Sequence, residues 1–346
     1  MEEKKKIIFY YPDMYVGGVE MAILNLAKRI YKDYDLYFFY RSISDLELAK
    51  EFNKYGIMRN IAGLEPEEEC DTLVYCSLWM EKQDNCRKIK AKQRILWAHA
   101  IIPPGGNKFY DMGTMRKIDK VVVVSDATRA SVPFRLYCGR FDNKIYVINN
   151  ILNVNEIKEK TELDTPKLNL AKDLNICTVA RISHEKGWQR VRRLCYELQN
   201  MGIDFKWFII GEGYIPEQVK RIHLILDNIP QIEFLGKKLN PFPYVKQMDY
   251  SALLSDYESW GLAITESKIL GVPPIASSFA AASEQIEDDY NGVIVPLKNF
   301  DNYRNAAQRI VAGKKLYKQG LVDFDYEKVN EYSIDQWKKI FDMEGE

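Results

Sequence analysis

Two glutamates eight positions apart are the first candidates for chemistry in this chain. Glu258 and Glu266 lie in the segment ESWGLAITE, between the strand-like run YSALLSDY and a helical pattern. A carboxylate before a helix and another within it can hold the two ends of a nucleotide sugar, and the helix amino end between them can receive the diphosphate. A solvated helix face is the alternative interpretation of the same spacing.

Two cations precede these glutamates in the chain. Arg181 ends the run ICTVAR, and Lys186 follows just before Gly187 and a helical pattern. Ligands bind at the carboxyl ends of strands in open α/β sheets, and a guanidinium with an ammonium can neutralise a departing diphosphate. A polar turn is the alternative. Because the nearby aspartates Asp288 and Asp289 look like turn residues, we expect no metal ion to be required.

Apolar runs separated by helical patterns make up both halves of the chain. They are KIIFYY, YDLYFFY, TLVYCSLW, RILWAHA, KVVVVSD and KIYVINN, then ICTVAR, KWFIIG, IEFLG, YSALLSD, PPIASS and GVIVP. Runs without polar alternation predict parallel sheets that are covered on both faces. The length of 346 residues favours two domains.

A helix is predicted over residues 188–200, the first helical segment of the second half. Its apolar stripe consists of Val191, Leu194, Cys195 and Leu198, and Gly202 follows as a carboxyl cap.

Taken in chain order, these pieces resemble glycosyltransferase family 4, the retaining nucleotide-sugar transferases of GT-B fold. The resemblance is carried by ICTVARISHEKGWQRV, FIIGEG, FLGKK, ESWGLAITE, GVPPIASS and NGVIVPL, and in the first half by YPDMYVGGVEMAILNLAKRI, ILWAHA and VINNILN. It spans nearly the whole chain and is weakest over residues 40–90. It implies an α/β protein with two Rossmann-like domains whose parallel sheets face one another across a cleft.

The resemblance also implies the division of the chain. Residues 1–152 would form the acceptor-binding domain, residues 153–325 the nucleotide-sugar-binding domain, and residues 326–346 a helix that packs back on the first domain. The polar segment from Leu152 to Asp164 is expected to be the link.

The family pattern assigns roles to the residues around the two glutamates. Glu266 would hold the ribose hydroxyls and Glu258 the hydroxyls of the transferred sugar, while the amides of Trp260 and Gly261 would meet phosphate or sugar oxygens. Ser259 stands where many family members have glycine, so the sugar pocket departs from the family pattern there.

The first half contributes its own candidates. His99 ends the strand RILWAH; by position alone it is a structural hydrogen bonder, and by resemblance it donates to the sugar. Gly17 and Gly18 either let the backbone approach a phosphate or form a tight turn. Ser125 and Asn150 are weaker candidates for the same region.

Together these residues predict a retaining hexosyltransferase that uses a nucleotide-diphosphate sugar, preferably a UDP-sugar, without cofactor or metal. By resemblance the acceptor is a lipid-linked saccharide in surface-polysaccharide assembly, and the departing phosphate takes the acceptor proton. Alternatives are transfer to a protein or a small polyol, an epimerase, and a non-catalytic GT-B subunit of a transferase complex.

Charge and composition limit the kinds of binding partner that we expect. A net charge of zero excludes a generic nucleic-acid-binding protein. The amino terminus MEEKKKIIFYYP lacks a secretory signal, so a cytoplasmic location is expected. The basic segment between Lys82 and Arg94 is either a solvated helix face or a docking site for an anionic membrane surface.

Overall fold

The computed structural model describes residues 3–15, 17–76, 85–100, 117–131, 144–163, 166–213, 215–322 and 325–343. The chain divides into two compact units, residues 1–152 with 327–346, and residues 153–326. No helix within the described ranges combines the length and the apolar character that crossing a bilayer requires.

The strands of the amino-terminal unit are β1 (Lys6–Tyr10), β2 (Asp13–Met14), β3 (Asp35–Tyr40), β4 (Ser42–Ile43), β5 (Ile57–Asn60), β6 (Glu69–Tyr75), β7 (Lys90–Ala98), β8 (Lys120–Val123) and β9 (Ile145–Val147). Those of the second unit are β10 (Leu174–Val179), β11 (Phe205–Ile210), β12 (Ile232–Gly236), β13 (Tyr250–Leu253), β14 (Pro274–Ser277) and β15 (Val293–Val295).

The helices are α1 (Gly18–Ile30), α2 (Leu46–Asn53), α3 (Asp126–Arg129), α4 (Val154–Glu162), α5 (Trp188–Asn200), α6 (Pro216–Leu226), α7 (Phe242–Val245), α8 (Leu262–Ile269), α9 (Ala282–Gln285), α10 (Tyr303–Gly313), α11 (Leu316–Gln319) and α12 (Tyr326–Asp342). Two short 3₁₀ turns cover His184–Lys186 and Phe300–Asn302.

Each unit contains one large parallel sheet, as the unalternated apolar runs predict. The strand order is β5-β3-β1-β6-β7-β8-β9 in the first and β12-β11-β10-β13-β14-β15 in the second. In both sheets the chain first builds outward from a central strand and then returns to that strand's other side. This doubly wound order is Rossmann-like, and it opens a crevice at the carboxyl ends of the two central strands. The expected α/β class with two Rossmann-like units is therefore confirmed.

The prediction of helix α5 is confirmed, both in the residues at which the helix begins and ends and in the face that it buries. Its stripe residues are all buried, and Gly202 follows its end with a φ of 70°. Because a left-handed residue ends a helix at low cost only when it lacks a Cβ, glycine is favoured there.

The segment expected to be the link begins at the division between the two units and continues as a helix of the second unit. Helix α4 begins after Asn153, whose side chain accepts a hydrogen bond from the Glu156 amide at 3.1 Å. Val154, Ile157 and Thr161 are buried at helical spacing beneath the polar surface. The amino-terminal cap and this narrow apolar stripe are enough to form the helix.

The carboxyl-terminal helix α12 packs within the amino-terminal unit. Its Trp337 ring lies 4.7 Å from Trp97, and its Phe341 ring lies 6.5 Å from Phe9. The Asn330 amide donates to the Leu152 carbonyl at 2.7 Å and its oxygen accepts from the Leu152 amide at 3.1 Å. The helix therefore completes the core of this unit and ties down the end of its first segment.

Two features of the amino-terminal sheet differ from expectation. Strand β5 was not predicted, because it is an edge strand with no apolar run and three of its four residues are exposed. Lys90, Lys92 and Arg94 lie on strand β7 and not on a helix face, while Lys82 lies outside the described residues.

Candidate functional site

The two cations and the first glutamate lie on neighbouring loops of the carboxyl-terminal unit. Arg181 and Lys186 follow β10, Glu258 follows β13, and these two strands pair at the centre of the sheet. The Asp256 amide donates to the Glu185 carbonyl at 2.7 Å and joins the loops. The residues therefore meet at the crevice where the strand order reverses, which is the ligand position of open α/β sheets.

Lys186 and Glu258 form an ion pair in this crevice. The Lys186 Nζ lies 2.7 Å from the Glu258 Oε1, and the side chains are only 14% and 17% exposed. The buried Ser255 hydroxyl donates to the same oxygen at 2.7 Å. Without a ligand, each charge is thus neutralised by the protein.

Arg181 is more accessible than Lys186. Its side chain is 62% exposed, and its closest ion-pair partner is the Glu185 Oε1 at 3.7 Å. Burial of Glu185 opposes its ionisation, but a hydrogen bond from Ser183 and the charges of Lys186 and Arg181 hold the pKa of this carboxyl below its usual value. The Glu185 carboxylate therefore stays charged and holds the Arg181 guanidinium near the crevice, while the guanidinium remains accessible to a ligand.

Gly187 and Arg190 fix the loop that carries Lys186. Gly187 has a φ of 72°, and a Cβ placed on it would lie 1.8 Å from the Leu254 carbonyl oxygen. The Arg190 Nε donates to the same carbonyl at 2.7 Å, and its Nη2 pairs with Asp256. Sequence reasoning missed Arg190, Ser255 and Glu185, although Ser255 lies within the predicted strand run YSALLSD.

The segment between the two glutamates is held by a ring of hydrogen bonds. The Trp260 indole N–H donates to the Thr265 Oγ1 at 3.1 Å, this hydroxyl donates to the Gln285 Oε1 at 2.6 Å, and the Gln285 amide donates back to the Trp260 carbonyl. Gly261 begins α8 with a φ of 91°. The start of this helix is therefore rigidly placed, and no feature of the sequence identified Gln285 as its support.

Glu266 is the fifth residue of α8 and, unlike Glu258, has no hydrogen-bond or ion-pair partner in the part of the chain that the structure describes. Its side chain is half-buried. Burial raises its pKa to about 7, an effect that the charge of Lys160 partly offsets. A hydroxyl donor from a ligand would satisfy this carboxylate.

His99 lies in the amino-terminal unit after β7. Its ring centroid is 4.4 Å from that of Trp97, and its Nε2 is buried with no hydrogen-bond partner in the described part of the chain. Burial lowers its pKa to about 3, so the imidazole is neutral near pH 7. It can therefore take part in hydrogen bonding but not in charge neutralisation.

Gly17 and Gly18 stand at the start of α1 in the same unit. Gly17 is extended, with a φ of −158°, which any residue can adopt. A Cβ there would come within 3.1 Å of the Glu20 carboxylate, whose other oxygen accepts from the Tyr15 amide at 2.6 Å. The first glycine therefore makes room for a buried carboxylate, and its turn geometry does not require a left-handed residue.

The remaining candidates have mixed surroundings. Ser125 caps α3 through a 3.0 Å bond from the Thr128 amide, whereas the Asn150 Oδ1 is buried without a partner in the described ranges. Asp288 and Asp289 both pair with Arg309, and the Arg309 Nε lies 2.7 Å from Asp289. The two aspartates thus have a structural role in the loop before β15.

Comparisons with known proteins agree with this geometry. Residues 159–319 match the family described as glycosyl transferases group 1. An uncharacterized glycosyltransferase of Haemophilus influenzae is 22% identical over 97% of this chain and 99% of its own length. The putative colanic acid biosynthesis glycosyltransferase WcaL of Escherichia coli is 27% identical over 42% of this chain and 37% of its own.

The fold is also that of solved proteins. The crystal structure of Anabaena Alr3699/HepE in complex with UDP and glucose has a TM-score of 0.71 at 15% identity, and covers 97% of this chain and all of its own. The chain thus has the two-domain GT-B fold, and its second unit resembles the group 1 glycosyl transferases, which supports glycosyl transfer as its chemistry.

Proposed function

We propose that the protein is a retaining, metal-independent glycosyltransferase that moves a hexose from a nucleotide-diphosphate sugar, with UDP favoured, to a lipid-linked saccharide. The main observation that supports this proposal is the Lys186–Glu258 ion pair at the central crevice of the second sheet. The exposed Arg181 lies on the loop after β10. Glu266, which has no partner among the described residues, lies on the helix that follows β13.

These side chains match the parts of a nucleotide sugar. Arg181 and Lys186 would bind the diphosphate and stabilise the charge that develops as it leaves. Glu266 would accept hydrogen bonds from the ribose hydroxyls, and Glu258 from the hexose. The amides of Trp260 and Gly261 would meet phosphate or sugar oxygens at the start of α8.

The amino-terminal unit would hold the acceptor. His99 would act as a neutral hydrogen-bond donor to the sugar. The backbone of Gly17 and Gly18 would approach a substrate at the start of α1, with Gly17 also admitting the Glu20 carboxylate. With no enzymic nucleophile assigned, the acceptor oxygen would bond to the anomeric carbon on the face from which the diphosphate leaves, and the departing phosphate would take the acceptor proton. Attack on that face retains the anomeric configuration.

The donor and acceptor classes rest on similar proteins. The structure of Anabaena HepE is a complex with UDP and glucose, and WcaL is described as a putative colanic acid biosynthesis glycosyltransferase. We therefore favour a UDP-hexose and a saccharide of surface-polysaccharide assembly.

Activity assays with a panel of nucleotide sugars test the proposal. The protein, incubated with membrane lipid extract, should release one nucleoside diphosphate in excess EDTA, and the product should keep the donor's anomeric configuration by NMR. Loss of activity in EDTA that is restored by Mg²⁺ or Mn²⁺ would reject the metal-independent mechanism, and an inverted product would reject retention. Nucleotide release without an acceptor would favour the epimerase.

A peripheral position on an anionic membrane is part of the proposal because the acceptor is lipid-linked. The basic segment itself gives it little support, since Lys88 pairs with Glu67 at 2.9 Å and Lys90 with Glu69 at 3.0 Å. Sedimentation with anionic and neutral vesicles at low salt tests the docking, and equal recovery from both would reject it.

A further inference from the structure

Glu258 receives two hydrogen bonds on one carboxylate oxygen. The Lys186 Nζ and the Ser255 Oγ each lie 2.7 Å from the Glu258 Oε1. Among the described residues, no group bonds to the Glu258 Oε2. The protein therefore saturates one oxygen and leaves the other for a ligand.

Ser255 is itself fixed. Its side chain is fully buried, and the buried Ser277 hydroxyl donates to its backbone carbonyl. A serine hydroxyl excluded from water and bonded to a carboxylate makes a charge-assisted hydrogen bond. Ser255 and Glu258 lie three residues apart on the loop after β13, and Ser255 is anchored to Ser277 at the end of β14, so this bond defines the orientation of Glu258.

A diphosphate would change the surroundings of Glu258. Lys186 would then be shared between the carboxylate and the phosphate oxygens, and the two anions would repel each other at short range. Ser255 is neutral, so a phosphate does not draw it away from Glu258 as strongly as it draws an ammonium. Its bond to Glu258 therefore persists when the lysine turns to the ligand.

We propose that Ser255 is a positioning residue that holds Glu258 beside the diphosphate and presents its Oε2 to the transferred sugar. This inference rests on the proposed function, because it assumes that Glu258 reads the sugar of a nucleotide-diphosphate donor. It predicts a defect that appears with the sugar and not with the nucleotide alone.

The test compares Ser255→Ala with Ser267→Ala. Ser267 is 1% exposed and its hydroxyl donates to the Ile264 carbonyl of its own helix at 2.9 Å. The two substitutions therefore remove the same buried group, but only one of them touches Glu258. Thermal unfolding of both variants establishes that they are folded before any binding is measured.

Calorimetry with UDP, UDP-glucose, UDP-galactose and UDP-N-acetylglucosamine gives the readout. The preference is the ratio of the affinity for the best-bound UDP-sugar to the affinity for UDP. Ser255→Ala should reduce this ratio by about tenfold, which is the scale of one charge-assisted hydrogen bond, and should leave the affinity for UDP unchanged. Ser267→Ala should alter neither. In a Glu258→Gln background, Ser255→Ala should have much less effect, since it acts through Glu258.

The possible outcomes distinguish failure of the proposed role of Ser255 from failure of the proposed function. Suppose that the wild type binds UDP and prefers a UDP-sugar. If Ser255→Ala keeps that preference, or reduces it as much in the Glu258→Gln background as in the wild type, only the proposed role of Ser255 is overturned. If no UDP-sugar binds better than UDP, Glu258 reads no sugar and the inference also fails. If the wild type binds no UDP, the proposed uridine donor fails together with it.

Discussion

The charged side chains of the crevice are prepared for a ligand in different ways. Lys186 and Glu258 neutralise each other, Arg181 is exposed, and Glu266 has no partner in the described part of the chain. An unpartnered, half-buried carboxylate destabilises the free protein when it is ionised. We therefore expect the ionised Glu266 to lower the stability of the ligand-free protein and to serve in ligand binding.

The pH dependence of stability tests the state of Glu266. Its pKa in the folded protein is raised from 4.5 to about 7, so the folded state binds this proton more tightly than the unfolded state. Its contribution to stability is complete below about pH 4.5 and is lost as pH rises through 7. Glu266→Gln should therefore raise the melting temperature at pH 8 and change it little at pH 5. Equal shifts at both pH values would show that Glu266 is ordinarily solvated.

The two glutamates should differ in what they bind. Glu266→Ala should weaken both UDP and the full donor, because the ribose is common to both ligands. Glu258→Ala should spare UDP and depress sugar transfer. Calorimetry with both ligands, combined with turnover measurements, separates the roles. If both variants bind UDP as the wild type does, the spacing of the two glutamates has no functional meaning.

At the level of elements, the loop between β10 and α5 is positioned by close backbone approach. Gly187 permits this approach, since a Cβ would collide with the Leu254 carbonyl oxygen at 1.8 Å. The Arg190 side chain then bridges to that carbonyl. Lys186 thus owes its place beside Glu258 to the residue that follows it.

Substitution of this glycine should be severe. Gly187→Ala combines left-handed strain with a backbone clash and should lower the free energy of unfolding by about 3 kcal/mol or more. Gly202→Ala is the matched control, because Gly202 has a similar φ of 70° but open space around its Cβ; it should cost about 1 kcal/mol. Urea denaturation compares the two, and equal losses would show that the loop can move away from Leu254.

The elements with regular patterns were predictable from sequence. The runs around β10 to β15 and the stripe of α5 carry their periodicity in consecutive residues. Edge strand β5 was not predictable, since its exposed residues need no apolar run. The polar segment after Leu152 does mark the division between the units, but helix α4 within it was not predictable, because its buried stripe is narrow and its surface is polar.

The site shows the same limit. Arg181 ends a recognisable strand run and Lys186 follows on the next loop, so their position at the sheet edge follows from sequence. The contact between Lys186 and Glu258 joins residues far apart in the chain, and the ring through Gln285 joins two short helices. Such contacts depend on strand order, which local sequence does not encode.

At the scale of the whole molecule, the chain leaves its first unit after Leu152 and returns to it through α12. Trp337 on this helix is fully buried, and Asn330 binds both backbone groups of Leu152. The first unit is therefore incomplete until α12 has been made.

Removing the aromatic anchor of α12 should destabilise the first unit. Trp337→Ala should cost about 3–5 kcal/mol, the range for a buried aromatic side chain. Tyr332→Ala on the same helix is the control, because Tyr332 is 66% exposed, and it should change stability by less than about 0.5 kcal/mol. Chemical denaturation measures both. A similar loss in the two variants would indicate that α12 contributes through helix formation alone.

Nucleotide binding by the carboxyl-terminal unit tests the central claim most directly. Wild type and Lys186→Ala are titrated calorimetrically with uridine, guanosine, adenosine and thymidine diphosphates in EDTA. We predict that the wild type binds one of them, with uridine diphosphate favoured, and that the variant binds it about tenfold more weakly or worse, because a charge-assisted contact is lost. Failure of the wild type to bind any of the four, or equal affinity in Lys186→Ala, would contradict the assignment of this crevice as a donor site.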